Sequence, residues 1–153
     1  MSLQKRIALS QRGKRFRREE AFQRDLEKKV IELENLYKAI NDSAYVIEYS
    51  PEGNVTFINE AYLQLLNLNA DDVIGKHHSY QMEFTDEQRK NYKQFWDDLN
   101  NGIVRKETSK FSINDKTYLF YETYTPIRDA EGNVVKIMKI AFNVSHLLSE
   151  NQI

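Results

Sequence analysis

The sequence predicts an α+β fold in which a long helix precedes a sheet of antiparallel strands. Three observations predict it. Residues 19–40 contain neither glycine nor proline and repeat apolar residues in a heptad pattern. Short β-rich segments follow one another around turn sequences, as they do in hairpins. One amphipathic helical stretch, residues 85–102, separates the first two of these segments from the last three, an order that favours antiparallel pairing over βαβ units.

The first element is the long helix, for which we predict residues 19–40. Its apolar residues recur in steps of three and four, which is the a/d spacing of a coiled coil. These residues, called the seam below, are Phe22, Leu26, Val30, Leu33, Tyr37 and Ile40. A helix of this length is marginal alone in water, so we expect a partner to stabilise it. Two partners fit this spacing. One is a second copy of the chain, in a homodimer, and the other is the globular domain of the same chain.

A basic arm, residues 1–18, precedes this helix, although the whole chain has a net charge of −1. The arm has no acidic residue, and its basic residues are Lys5, Arg6, Arg12, Lys14, Arg15, Arg17 and Arg18. Such an arm can contact nucleic acid or anionic lipid. We favour the alternative, a solvated helix end, and therefore expect neither nucleic acid nor a membrane as a partner of this segment.

The elements that follow are defined by hydrophobic alternation and turn residues. Residues 41–43, Asn-Asp-Ser, favour the end of the long helix because such side chains bond to their own backbone. Thr85 and Gly102 are the start and stop signals of the longest later helix, and Asn114-Asp115 is a hairpin turn signal. The predicted elements are strands 44–49 and 55–59, a helix 60–68, a helical turn within 69–75, a helix 85–102, and strands 103–113, 116–127 and 134–145.

Composition limits what the chain can do. Its 153 residues suffice for one domain and an appendage, and 29% charged with 41% apolar residues is typical of a globular protein. No apolar run approaches the ~20 residues that a membrane span needs. The chain has no cysteine, which excludes disulfides, cysteine-ligated zinc, iron–sulfur clusters, thiolate-ligated haem and thiol nucleophiles. The absence of cysteine also fits a cytoplasmic location, which we expect.

Two segments resemble the two halves of a PAS domain. The stretch EGNVTFINEAYLQLLNLNADDVIGK (52–76) is similar to the family's first half, and TPIRDAEGNVVKIMKIAFNVS (125–145) is similar to its close. The run GKHH, followed by FWDDLNNG, resembles the branch found in chemotaxis receptors and bacterial sensor kinases. The resemblance covers roughly residues 36–146. It implies a five-stranded antiparallel sheet with helices on one face around a small cleft, and flanking helices that carry a signal to an output domain, often through a parallel dimer.

One departure from the family pattern lies at the end of the last strand. The chain has Asn143-Val-Ser145 where the family closes with Asp-Ile-Thr, and the family's aspartate commonly anchors this exit through an ion pair. Asparagine cannot form that ion pair, although it can cap a following helix. The resemblance divides the chain into the basic arm (1–18), a coiled-coil linker helix (19–40), a PAS domain (41–146) and a C-terminal tail (147–153).

FAD and haem, which other members of this branch hold, are the cofactor alternatives. Photochemistry that joins a thiol to flavin is excluded because the chain has no cysteine. His77 or His78 can supply an axial nitrogen to haem, and Trp96 matches a tryptophan of FAD-binding members. We favour a turn and helix-start role for the histidines and a core role for Trp96, and we predict no metal site. The residues that would line an apolar haem pocket are Tyr80, Met82, Phe84, Phe95 and Trp96.

Strand alternation places two charged residues in the implied cleft. By analogy with the family, Glu122 faces the cleft from strand 116–127 together with Tyr118, Phe120 and Tyr124, and Lys139 faces it from the last strand. A lone buried charge costs several kcal/mol, so we predict that Glu122 and Lys139 form an ion pair or bind a polar ligand. The opposite parity would leave both in solvent. The predicted cleft residues are His77, His78, Phe95, Trp96, Phe120, Glu122, Tyr124 and Lys139.

Catalysis has no support in the sequence. The chain shows no Ser-His-Asp set, no carboxylates at metal-binding spacing and no glycine-rich phosphate loop. We therefore predict a non-enzymatic sensory module of a bacterial signalling protein. It would detect a small ligand or a partner and relay the signal through dimerised coiled-coil helices to an output domain. A redox or gas sensor that carries FAD or haem is the alternative.

Overall fold

The computed structural model describes residues 2–80, 82–113 and 115–148. The chain forms two compact units, Met1–Ile40 and Asn41–Ile153. Helix α1 spans Leu3–Ser43, so helical structure includes the basic arm and ends at the predicted Asn-Asp-Ser sequence. Asn114 of the predicted turn signal and residues 149–153 of the predicted tail lie outside the described residues.

Helix α1 exposes its apolar residues. None of its described residues is buried, and Phe22, Leu26, Val30 and Leu33 of the seam are all exposed. Ion pairs at helical spacing, such as Arg15 with Glu19, lie on its surface, where such pairs contribute little to stability. None of the described helices is both long and apolar enough to cross a membrane.

The second unit is built on a five-stranded antiparallel sheet, which confirms the predicted fold. The strands are β1 (Tyr45–Tyr49), β2 (Val55–Ile58), β3 (Arg105–Ile113), β4 (Lys116–Arg128) and β5 (Val134–Asn143). Their order across the sheet is β2-β1-β5-β4-β3. Strand β3 begins two residues later than predicted, because the amide of Ile103 still donates to the carbonyl of Asp98 in the exit from the preceding helix.

Three α-helices pack against one face of this sheet. They are α2 (Glu60–Leu66), α3 (Ala70–Val73) and α4 (Asp86–Asn100). Helix α4 begins at Thr85 as predicted: Thr85 Oγ1 accepts from the amide of Gln88, and Gln88 Oε1 accepts from the amide of Thr85. It ends before Gly102, whose φ of +85° suits glycine.

The core of this unit joins the inner face of the sheet to α2 and α4. Alternation along β4 and β5 buries Phe120, Glu122 and Tyr124 on one strand and Ile137 and Lys139 on the other, which is the predicted parity. The core includes Ile47, Tyr49, Tyr124 and Ile137 from the strands and Tyr62, Leu63, Phe95, Trp96 and Leu99 from the helices.

The last strand is shorter than predicted and turns at Asn143. Asn143 Oδ1 accepts from the amide and the hydroxyl of Ser145, and Ser145 Oγ accepts from the amide of Leu119 on β4. A 3₁₀-helix follows at Ser145–Leu147. Asn143 thus ends the strand with neutral hydrogen bonds to Ser145.

Candidate ligand-binding cleft

A cleft of about 820 Å³ opens between the sheet and the helices α2 and α4 of the second unit. Its apolar wall consists of Leu66, Met82, Phe84, Tyr92, Phe95 and Phe111. Volumes of this size hold small organic ligands. Besides its apolar wall, the cleft is lined by charged side chains, namely those of Glu83, Arg105, Glu107, Lys110, Glu122 and Lys139.

Glu122 and Lys139 form the predicted buried ion pair at the inner end of the cleft. Lys139 Nζ lies 2.7 Å from Glu122 Oε1, and the two side chains are 8% and 5% exposed. Lys139 also donates to the hydroxyl of Tyr62 at 3.2 Å and lies near the ring faces of Tyr62 and Tyr124. Burial alone would lower the pKa of Lys139, but the surrounding oxygens of Tyr124, Tyr62, Tyr49 and Glu122 raise it, so the ammonium stays charged.

His78 extends this polar cluster. Its Nδ1 lies 3.0 Å from the hydroxyl of Tyr92, and its Nε2 lies 3.3 Å from the hydroxyl of Tyr124, which itself donates to Glu122 Oε2 at 3.2 Å. Since the hydrogen of Tyr124 is directed to Glu122, Nε2–H of His78 is the donor to Tyr124, and Nδ1 accepts from Tyr92. Burial, Lys139 and His77 together lower the pKa of His78 to about 4, so the imidazole is neutral near physiological pH.

These contacts form one continuous series of hydrogen bonds, called the buried polar chain below. It joins the loop before α4 to α4, β4, β5 and α2. Its members are Tyr92, His78, Tyr124, Glu122, Lys139 and Tyr62. Because each member donates to or accepts from the next, a change at one point alters the geometry of the others.

His77 departs from its predicted place in the cleft and holds the β1–β2 hairpin instead. Its Nε2–H donates to the carbonyl of Glu52 at 2.9 Å, while its Nδ1 accepts from the amide of Ser79 at 3.2 Å. Gly53, with φ of +93°, makes room for the ring, since a Cβ there would lie 2.7 Å from His77 Nε2. Both ring nitrogens are therefore used locally.

Trp96 and Phe120 also lie outside the cleft lining, because both pack into the core. Trp96 meets the rings of Tyr49 and His78 edge-on, and Phe120 has no exposed surface. The structure brings five of the eight predicted residues together in the cleft: His78, Phe95, Glu122, Tyr124 and Lys139.

Several lining residues were not among those predicted. Tyr62 and Tyr92 belong to the apolar faces of predicted helices. That pattern predicts a buried position but does not indicate what the phenol hydroxyl binds. Ser109 and Phe111 share the inward parity of β3, so strand alternation could have identified them. Arg105 at the mouth is held by Asp98 at 2.6 Å and by Glu107 at 3.2 Å.

The two histidines of the haem alternative, His77 and His78, do not fit haem. Axial ligation needs an imidazole nitrogen that is free to bind iron. Both nitrogens of His77 are bonded in the hairpin, and both nitrogens of His78 are bonded in the buried polar chain. No cluster of His, Asp or Glu in the described ranges is suited to a metal ion.

We expect the protein, mixed with haem and desalted, to show no Soret band that depends on either histidine, because ligation would displace the hydrogen bonding at the ring nitrogen that binds iron. The measurement is an absorbance spectrum of the wild type beside His77→Ala and His78→Ala. A Soret band lost in one variant would contradict this prediction and restore the haem alternative. Flavin bands in freshly purified protein would instead direct attention to FAD.

Comparisons with known proteins agree with this architecture. A family model described as PAS domain matches residues 42–146. The biofilm dispersion protein BdlA of Pseudomonas aeruginosa is 30% identical over 113 residues, which are 73% of this chain and 27% of that protein. The chain thus spans well under half the length of this relative.

Two solved structures share the fold. An RNA-binding light-oxygen-voltage receptor has a TM-score of 0.63 at 15% identity, over 81% of this chain and 36% of that one. The PAS domain of BvgS from Bordetella pertussis has a TM-score of 0.58 at 18% identity, over 78% of this chain and 89% of that one. Likeness at such identities shows the fold alone, but the family match covers more than half of the sequence. The chain belongs to the PAS domain family.

Proposed function

We propose that the chain is a non-enzymatic sensory module that binds a small ligand in its cleft and relays the event through α1 to an output domain of a larger bacterial signalling protein. The observation that carries the proposal is the aromatic cleft that ends on the buried polar chain. Apolar residues in place of this buried ion pair would give a core at least as stable. We therefore attribute the presence of the ion pair to a role in ligand recognition.

The relay is supported by hydrogen bonds between the cleft and the end of α1. Lys139 donates to Tyr62 on α2, and α2 begins at its N-cap Asn59. Asn59 Nδ2 donates to the carbonyl of Asn41 at 3.0 Å, in the last turn of α1, and to that of Ala44 at 2.8 Å. A ligand that moves Lys139 or Tyr62 would therefore act on the residues that end α1.

A homodimer through the seam is the arrangement that we propose for the output. The exposed apolar residues Phe22, Leu26, Val30 and Leu33 keep the a/d spacing that coiled-coil partners bury. The output domain would lie in another part of a longer protein, as the chain's partial coverage of its relative suggests.

The test of ligand binding uses N-phenylnaphthylamine, a neutral dye whose fluorescence rises in apolar surroundings. We expect Ser109→Trp, which fills the cleft from β3, to weaken dye binding about tenfold, or roughly 1.4 kcal/mol. The matched control is Thr108→Trp, which alters an exposed neighbour on the other face of the same strand and should leave binding unchanged. Fluorescence titrations of the three proteins give the comparison. Equal binding by wild type and Ser109→Trp would contradict a cleft site.

The relay from the cleft to α1 is tested by disulfide crosslinking of α1 in the presence of the same dye. Since the chain has no native cysteine, Leu33→Cys reports the pairing of seam residues through disulfide formation. We expect the dye to change the crosslinking rate, and Asn59→Ala to abolish that change while the dye still binds. Dye binding that leaves crosslinking unchanged with Asn59 intact would contradict the relay and leave the ligand site standing.

A further inference from the structure

We propose that the cleft selects neutral aromatic molecules that carry a hydrogen-bond acceptor such as a carbonyl, and that the hydroxyl of Tyr62 holds this acceptor. The inference rests on the proposed function, because it specifies the ligand of the same cleft. Three features of the cleft carry it: the charges at its inner end, its unused hydrogen-bond donors and its aromatic rings.

The charges at the inner end cancel. Lys139 and Glu122 neutralise each other at 2.7 Å, and both are more than nine-tenths buried. The neighbouring imidazole of His78 is neutral, since its pKa lies near 4. An anion or a cation that entered this region would find no counter-charge left to pair with it, in surroundings that penalise unpaired ions. A neutral ligand avoids that cost.

The donors at the inner end do not all have acceptors. In the buried polar chain, the hydroxyl of Tyr62 accepts from Lys139, but its own hydrogen has no acceptor within the described part of the chain. Tyr62 is 4% exposed and lines the cleft. Ser109 Oγ, on the β3 side of the cleft, is buried and likewise has no partner among the described residues. A buried donor without an acceptor is unfavourable, so both hydroxyls favour a ligand that accepts hydrogen bonds.

The rings favour a flat, apolar body on that ligand. Phe84 and Tyr92 lie 4.8 Å apart by ring centroid, and Phe95 meets Tyr124 edge-on at 4.9 Å. Aromatic rings at these distances offer both face and edge contacts to a further ring. At the mouth, Arg105 is already paired with Asp98 and Glu107 and so offers little attraction to an anion. Glu83 and Lys110, one acidic and one basic side chain, also line the cleft.

The test measures displacement of N-phenylnaphthylamine by four compounds of similar shape. Benzophenone carries a carbonyl, diphenylmethane carries none, diphenylacetate is an anion and benzhydrylamine is a cation. We expect benzophenone to bind about tenfold more tightly than diphenylmethane, and both ions to bind more weakly than either. Tyr62→Phe and, separately, Ser109→Ala should reduce the advantage of benzophenone over diphenylmethane. The control Tyr121→Phe alters a tyrosine that faces away from the cleft and should change neither.

Each other outcome overturns the inference in a distinguishable way. Equal binding of benzophenone and diphenylmethane, or tighter binding of an ion, removes the proposed selectivity while the cleft remains a ligand site. An advantage of benzophenone that survives in Tyr62→Phe removes the proposed donor, whatever the result with Ser109→Ala. Failure of the dye itself to bind the wild type would count against the proposed function as well.

Discussion

Replacing Lys139 by methionine is expected to lower the free energy of unfolding by about 3–5 kcal/mol. Methionine preserves most of the volume of the side chain but removes the ammonium that lies 2.7 Å from Glu122 Oε1. The carboxylate of Glu122 would then remain buried without a counter-charge, which costs far more than the loss of a surface ion pair. The measurement is urea denaturation of the wild type and the variant, followed by circular dichroism.

Lys93→Met is the matched control for this prediction. Lys93 also pairs with a carboxylate, that of Asp97, but the two side chains are 76% and 48% exposed. The same substitution there should change stability by no more than about 0.5 kcal/mol. The double variant Lys139→Met/Glu122→Leu should recover most of the loss, because it leaves no charge unpaired. If Lys139→Met and Lys93→Met cost the same, the ion pair is not buried as described.

Acidification below neutral pH is expected to destabilise the protein through His78. Its pKa is about 4 in the folded chain, against an ordinary value of 6.5. As the pH falls from 6.5 towards 4, the unfolded chain gains a proton that the folded chain does not, so stability decreases across that window. A shift of this size corresponds to at most roughly 3 kcal/mol. From about one pH unit above 6.5, both states are mostly neutral and the contribution of His78 no longer varies.

The measurement compares the pH dependence of unfolding in the wild type and His78→Gln. Carboxylates also titrate at the acid end of the window, and the difference between the two proteins isolates the histidine. His146→Gln is the control, because His146 is exposed in the 3₁₀-helix near the end of β5. Parallel stability curves for the wild type and His78→Gln would show that His78 keeps an ordinary pKa in the fold.

Much of the fold could be predicted because its signals are local. The start of α4 at Thr85 depends on a capping box that spans only Thr85 to Gln88, and its end depends on the backbone freedom of Gly102. The period of two along a strand divides the residues of β4 and β5 into two sets, and the resemblance to PAS domains indicated that Glu122 and Lys139 belong to the inward set. Their ion pair then follows from the cost of burying either charge alone.

The arrangement of side chains in the site depends on contacts between residues far apart in the sequence, which no local sequence pattern predicts. His77 and His78 are adjacent, yet one bonds to the hairpin at Glu52 and the other to Tyr124, which lies 46 residues away. Sequence spacing does not indicate which partner each imidazole binds, because the path of the loop over the sheet sets the direction of each ring.

The sequence by itself thus determined the order of the elements and the antiparallel sheet, since those follow from short-range periodicity and turn residues. The inward face of β4 and β5 was implied by the resemblance to PAS domains. Only the tertiary structure decided which side chains meet across the cleft. The hydrogen bond between Tyr62 of α2 and Lys139 of β5 joins residues 77 positions apart in the sequence. The physical reason is that hydrogen-bond partners are selected within about 3 Å, a precision that packing supplies and periodicity does not.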